Sequence, residues 1–340
     1  MKTGVVIDER YTAHETGSRH PERPERIRTL LDMLGSRPAR GLVRIDPRAA
    51  TAEEIALNHD AAHIARVAAT EGRTRSAFDP DTPTSPRSYE TALLAAGGLV
   101  TLVEAIMEGV VGNGFALVRP PGHHAEYDRA MGFCLFNNVA VAARVLRQRY
   151  GLERVLIMDW DLHHGNGTQH SFYDDPSVLY MSTHQYPYYP GTGAVDEIGS
   201  GAGGSFTVNI PLMAGSGDSE FVEVFTHVVE PIARQFRPQF VLLSAGFDCH
   251  RRDPLGGLMA TEEGIAFMTR VLMRCAQEYS DGRLAAVLEG GYDLDALSHS
   301  TSRVLDGLTG AGPVETTATV AAGPTSERVR KVQRRYWDLP

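Results

Sequence analysis

Positive charge is in deficit in this chain: 33 lysines and arginines face 42 aspartates and glutamates, a formal net charge of -9. A surface of that balance repels a polyanion, so no direct nucleic-acid partner is expected, whereas cationic molecules are tolerated or drawn in. Cysteine is scarce. Cys134, Cys249 and Cys275 form an odd set without metal-ligand spacing, which excludes a disulfide framework and suits reduced thiols in a cytoplasmic protein. No internal repeat is found, Met1 is followed closely by the apolar Val5-Val6-Ile7, and neither a secretory leader nor a run long enough to span a bilayer is expected. The glycine-rich stretch 199–204 is not followed by a helix bearing a lysine, so it reads as a flexible hairpin and not as a phosphate loop. What is present is bulk: 340 residues, 42% of them hydrophobic, enough for one large core in a single α/β domain.

The densest chemistry follows an apolar run. Val155-Leu156-Ile157-Met158 reads as a buried strand and opens directly into Asp159, Asp161, His163 and His164. A single Asp-His pair is accounted for by a capping turn with a satisfied core histidine; four such residues in six positions are better satisfied by a divalent cation. Asp161 and His163, two apart on extended chain, face one side, and Asp159 shares it. A second apolar run, Phe240 to Ala245, ends in Gly246-Phe247-Asp248 and supplies a third ligand. Strand ends meet in this way on one rim of a parallel sheet. The set Asp161, His163 and Asp248 suits zinc or iron.

Two further strand ends carry polar groups. Phe115 to Val118 runs into Arg119-Pro120-Pro121-Gly122-His123-His124, where the prolines stop a helix. Leu284 to Leu288 ends in Glu289-Gly290-Gly291-Tyr292, whose glycines permit a sharp turn that presents a phenol; a turn with a packed tyrosine is the alternative. Between these runs, residues 88–109, 139–150, 219–236 and 261–279 have apolar residues at helical spacing, with Thr261 as a cap and Met268 and Met273 as core filler. Strand and helix in alternation imply a sheet covered on both faces.

Taken together, Arg119 to His124, Gly132-Phe133-Cys134, Asp159 to Gly167, Ser182-Thr183-His184, Pro190 to Gly193, Ala245 to Asp248 and Glu289 to Tyr292 resemble, in order, the motifs of the arginase/deacetylase superfamily, and within it the zinc-dependent histone deacetylases. The likeness runs from His20-Pro21-Glu22-Arg23-Pro24-Glu25-Arg26-Ile27 to near Gly310; Asp159-Trp160-Asp161, Asn166 to Gln169 and Asp253 to Gly257 look like the class II branch and its bacterial amidohydrolase relatives. The resemblance implies a three-layer α/β/α domain over residues 1–310 around a central, mostly parallel eight-stranded sheet, followed by a tail, 311–340, partly ordered and packed on the domain.

It also implies roles. Asp161, His163 and Asp248 match the zinc ligands, with iron as an alternative metal. His124 matches the general base, His123 with Asp159 its electrostatic partner, and Tyr292 the phenol that donates to the substrate carbonyl. Asn166 stands behind His124 where another branch carries aspartate. Asp159, Ser182 and main-chain oxygens of Asp161, His163 and Thr183 match the shell of a structural potassium or sodium ion. Gly132, Phe133 and Tyr189 match the walls of a narrow tube for an acyl-lysine side chain, and Leu255 a gatekeeper. Asp81 matches a rim position that holds the substrate backbone, or else belongs to an Asx turn before Pro83.

The expected activity is zinc-dependent hydrolysis of an Nε-acyl-lysine amide, acetyl first, in a protein or peptide. An acetylpolyamine amidohydrolase shares the same centre. A binuclear ureohydrolase needs more carboxylate ligands, and a non-catalytic acyl-lysine binder would be expected to have lost one of His124, Asp161, His163, Asp248 or Tyr292. A homo-oligomer is compatible with the sequence.

Overall fold

Eight apolar runs form one sheet: β1 (Thr3–Val6), β2 (Leu42–Arg44), β3 (Asn113–Ala116), β4 (Val155–Asp159), β5 (Val178–Gln185), β6 (Thr207–Leu212), β7 (Phe240–Ala245) and β8 (Leu284–Leu288). The computed structural model describes residues 2–37, 41–311 and 320–339. The strand order is β2-β1-β3-β8-β7-β4-β5-β6, and every pairing is parallel. β4, β7 and β8 are buried at every residue, which is why they read as unbroken apolar runs with no alternation. Among the described residues, the antiparallel pairing of named strands is confined to a small separate hairpin, Ser76–Ala77 with Pro83–Thr84.

The topology gathers the strand ends. β7 and β8 come last in the chain yet lie between β3 and β4, so the four ends that carry the polar motifs are neighbours. The register sets Ala116 beside Val287, Leu288 beside Ala245, Ser244 beside Asp159, and Asp159 beside Ser182. A crevice outside the carboxyl ends of such strands is where open α/β sheets bind ligands.

Helices cover the sheet. Asn138–Tyr150 starts on Asn137, whose side chain accepts from Ala140 N, and stops at Gly151 in the left-handed region. Glu262–Tyr279 starts on Thr261 as expected, with the hydroxyl accepting from Glu263 N. Ser88–Met107 corrects one expectation: it is 20 residues long and apolar enough to cross a bilayer by length and composition. Most of it is buried against β1 and the helix Asn138–Tyr150, so its hydrophobicity is that of a core helix.

Two other expectations change. The helical stretch 219–236 is three pieces, Asp218–Val224, a π turn over Phe225–Val229, and Glu230–Phe236. Pro231 has no N–H to offer the His227 carbonyl, and the ladder widens by one residue so that Glu230 N reaches Phe225 O. Residues 199–204 are a 3-10 turn within a crossover, not a hairpin, because β5 and β6 are parallel. In the tail, residues 312–319 lie outside the described residues. The helix Pro324–Gln333 follows them. It is held by Glu223, whose carboxylate accepts from Gly323 N and Ser326 N, and Trp337 packs edge-on to Phe206.

Candidate active site

A cavity of about 760 Å³ opens over the ends of β3, β8, β7 and β4. His123, His124, Gly132, Phe133, His163, Tyr189, Leu255, Asp81 and Tyr292, all singled out in the sequence, line it. At its base Asp161, His163 and Asp248 offer ligand atoms within 4.8 Å of one another. His163 Nδ1 is 3.2 Å from Asp161 Oδ1 and 3.0 Å from Asp248 Oδ2. The remaining carboxylate oxygens are held by main chain: Asp161 Oδ2 accepts from Gly290 N at 2.8 Å, and Asp248 Oδ1 from Leu162 N at 2.8 Å. These bonds fix the three side chains without using the space between them.

The donor set fits a cation. Both carboxylates are buried, and neither has a lysine or arginine partner among the described residues. Burial and the charge of Asp161 push Asp248 up to about 7, while burial opposes but Asp161 and Asp248 together raise His163 to about 9. Two carboxylates crowded in a dry site are short of positive charge. The backbone is shaped to leave them room. A Cβ at Gly246 would lie 2.0 Å from Asp161 Oδ2, and one at Gly290 would lie 2.3 Å from Asp248 Oδ2. Glycine at both positions is therefore part of the cradle.

The two histidines beside it differ in their partners. His123 Nδ1 is 3.1 Å from Asp159 Oδ2; burial works against charge on this ring, but Asp161, Asp159 and Glu289 outweigh it and raise it to about 10. His124 Nδ1 is 2.7 Å from Asn166 Oδ1, and burial with the neighbouring His123 and His163 drives this ring well below the usual imidazole range. The surroundings thus favour charge on one ring and neutrality on the other. Glu289 clamps the loop beneath them, its Oε2 accepting from Gly122 N and His123 N and its Oε1 from Ser244 Oγ.

Tyr292 is presented by the turn after β8. Gly291, at φ +116°, makes the bend, Asp253 Oδ2 accepts from Tyr292 N at 2.6 Å, and the Arg26 guanidinium lies 5.1 Å from the ring centroid. Burial and the Asp248 carboxylate hold the phenol well above its ordinary value, so it stays a donor. Phe133 stands perpendicular to Tyr292 at 5.9 Å, and Tyr189 edge-on to His124 at 5.1 Å. Gly132 passes so close to His124 that a Cβ would come within 2.5 Å of the ring.

Asp159, Asn166, Ser182 and Thr183 do not line the cavity. Asp159 and Asn166 lie behind His123 and His124, and Ser182 is the register partner of Asp159 on β5, with its hydroxyl 2.9 Å from His184 Nδ1. Thr183 Oγ1 is buried without a hydrogen-bond partner among the described residues. The Asx turn before Pro83 belongs to Asp79, which accepts from Asp81 N, leaving the Asp81 side chain exposed at the mouth.

Several working residues were not singled out. Tyr188 stacks on His163 at 5.7 Å and donates to Leu255 O, and Arg19 and Arg75 stand exposed on the cavity wall. Arg26 donates to Gly291 O and Glu289 O from beneath the tyrosine turn, and Glu22 bridges Arg26 and Arg119. Burial of all three side chains in one ion cluster could have been suspected only from their place in the quoted motifs.

The chain matches the family model "Histone deacetylase domain" over residues 20–308. A probable deacetylase of Archaeoglobus fulgidus is 41% identical, covering 91% of this chain and 87% of that protein. Histone deacetylase 15 of Arabidopsis thaliana is 43% identical over 98% of this chain, and the human polyamine deacetylase HDAC10 is 40% identical over 91%. This chain spans 62% and 48% of the length of those two relatives. The crystal structure of the HDA15 HD domain superposes with a TM-score of 0.91 at 43% identity, covering 99% of this chain and 97% of that one. A likeness sustained over nearly the whole chain, with the Asp-His-Asp group kept at the base of the cavity, leads to one conclusion: the chain belongs to the histone deacetylase domain family and is a metal-binding deacetylase of it.

Proposed function

We propose that this protein hydrolyses the amide of an Nε-acyl-lysine, acetyl first, in a protein or peptide, using zinc. The observation that carries the choice of substrate is the charge at the mouth. Arg19 and Arg75 line the cavity there without an ion-pair partner among the described residues, Leu255 is uncharged, and Asp81 is the one lining carboxylate. The second ammonium of an acetylated polyamine would meet two guanidinium groups, whereas a peptide backbone is neutral and offers an N–H to Asp81. The acetylpolyamine reading keeps support from the human and mouse relatives named as polyamine deacetylases.

Asp161, His163 and Asp248 would hold a divalent ion, which when bound would supply Lewis acidity toward a water molecule and the amide carbonyl. The chain's own groups do the rest. His124, neutral and with its Nδ1 toward Asn166, takes the proton of the attacking water at Nε2 and returns it to the departing amine. His123, charged and anchored on Asp159, sets a fixed positive charge beside it. Tyr292 donates its hydroxyl to the carbonyl oxygen as negative charge develops there. Phe133 and Tyr189 wall the aliphatic stem of the substrate and keep water from it. Asp159, Ser182 and main-chain oxygens around Thr183 are proposed to hold a potassium or sodium ion, which suits a buried carboxylate whose ion-pair partner is His123. Residues 1–310 form the proposed catalytic domain. The buried, unpaired cysteines support a cytoplasmic setting.

The test compares kcat/KM on an acetyl-lysine peptide and on acetylputrescine with zinc-loaded protein. The peptide should be favoured by about tenfold or more, the equivalent of roughly 1–2 kcal/mol at a partly exposed charged rim. A ratio in favour of acetylputrescine would give the function to the polyamine reading.

A further inference from the structure

Behind His124 the hydrogen bonds continue outward. Asn166 Oδ1 faces His124 Nδ1 at 2.7 Å, while the Asn166 amide nitrogen donates to the Glu126 carboxylate and, at 3.3 Å, to the His124 carbonyl. Glu126 is buried, and both its oxygens accept from His170 Nδ1, at 2.9 and 3.0 Å. The His170 side chain is 48% exposed, so the row runs from the cavity to solvent.

Each contact in this row constrains the next. An ionised carboxylate only accepts, so the amide nitrogen of Asn166 must turn toward Glu126 and its oxygen toward His124. That oxygen also only accepts, so the proton of the neutral imidazole sits on Nδ1 and the lone pair on Nε2 faces the cavity. With the amide reversed, Nδ1 would meet an N–H, the proton would move to Nε2, and the ring could not act as a base. Neither Glu126 nor His170 has a part in the mechanism given above.

We propose that Glu126 is a positioning residue for the hydrolysis: it selects the Asn166 orientation that keeps His124 Nε2 free, and His170 anchors Glu126 from the solvent side. The proposal rests on the reading of His124 as the base. Asparagine cannot pass a proton on, so the row orients and does not relay. Glu126 also places a buried negative charge one residue behind the imidazolium that forms when His124 is protonated.

Glu126→Gln in the full-length zinc-loaded enzyme tests it with an acetyl-lysine peptide. Glutamine offers Asn166 either a donor or an acceptor, so the orientation is no longer dictated. kcat should fall roughly 10- to 100-fold with KM held within about twofold. In an Asn166→Asp background the same change should act in the opposite direction. A carboxylate accepts from His124 either way round, and glutamine removes its repulsion from Glu126, so the double variant should be faster than Asn166→Asp alone. An equal loss in both backgrounds would mean that Glu126 only supports packing, and overturns the proposal. If Glu126→Gln does not fold, imidazole nitrogen-15 shifts of unaltered protein decide: a bare Nε2 on His124 supports it, and a protonated Nε2 in the neutral ring overturns it. Unaltered enzyme inactive on every acyl amide would instead remove the hydrolase reading, and the proposal with it.

Discussion

Tyr292 and Asp248 belong to one site but fail differently. Tyr292→Phe keeps the ring against Phe133 and Arg26 and removes one donor. Its kcat should drop by about 10²–10³ with metal content unchanged, as for other oxyanion donors; a near-normal rate would show the tyrosine turn to be structural. Asp248→Ala removes one of three ligands and leaves Leu162 N without its acceptor. Two remaining ligands do not hold an open tetrahedral site, so metal content and turnover should be lost together. Stoichiometric zinc in an inactive Asp248→Ala protein would place the metal elsewhere.

At the scale of elements, the turn after β8 joins the metal cradle to the phenol. Gly290 lacks the positive φ of Gly291, so alanine suits its backbone, yet the added methyl would press on Asp248 Oδ2 and Asp161 Oδ2. Gly290→Ala should therefore fold and bind zinc roughly 10- to 100-fold more weakly in competition with a chelator; unchanged affinity would mean that the carboxylates can retreat. The strands that carry this chemistry were legible because a strand buried on both faces is apolar over most of its length, and the carboxylates and imidazoles come at its last residue or just beyond it. Asp161, His163 and Asp248 were found for that reason. Glu22, Arg26 and Glu126 were not, since a charged residue in a loop or in the first turn of a helix reads as solvated until packing closes over it. The π turn was hidden in the same way: residues 219–236 keep helical spacing through Pro231, and only the ladder shows which carbonyl loses its donor.

Two buried histidines outside the active site are kept neutral, and they weaken the fold in acid. His59 is buried, with Nδ1 donating to Glu126 O at 2.8 Å and Nε2 accepting from Asn137 N at 2.8 Å, and the second bond requires the neutral ring. Burial and the nearby His63 lower it to about 3; burial and Arg119 lower His14, paired with Ser88 Oγ, to about 3 as well. A group whose folded value lies below its ordinary 6.5 favours the unfolded chain once protons are available to it. Its stabilising effect is complete above pH 6.5 and declines as pH falls from there toward 3. Each such histidine contributes a slope of up to about 1.4 kcal/mol per pH unit, so the pair removes about 4 kcal/mol by pH 5, a large part of a typical net stability. Urea unfolding of the metal-free protein at pH 8 and pH 5, compared between unaltered protein and a variant at one of these positions, separates this loss from the opposite contribution of His123, His163 and Asp248, whose folded values are raised. His59→Gln, which can offer an amide N–H to Glu126 O and an oxygen to Asn137 N, should reduce the slope by about one proton's worth. An unchanged slope in that variant would mean that His59 takes up its proton without leaving the fold.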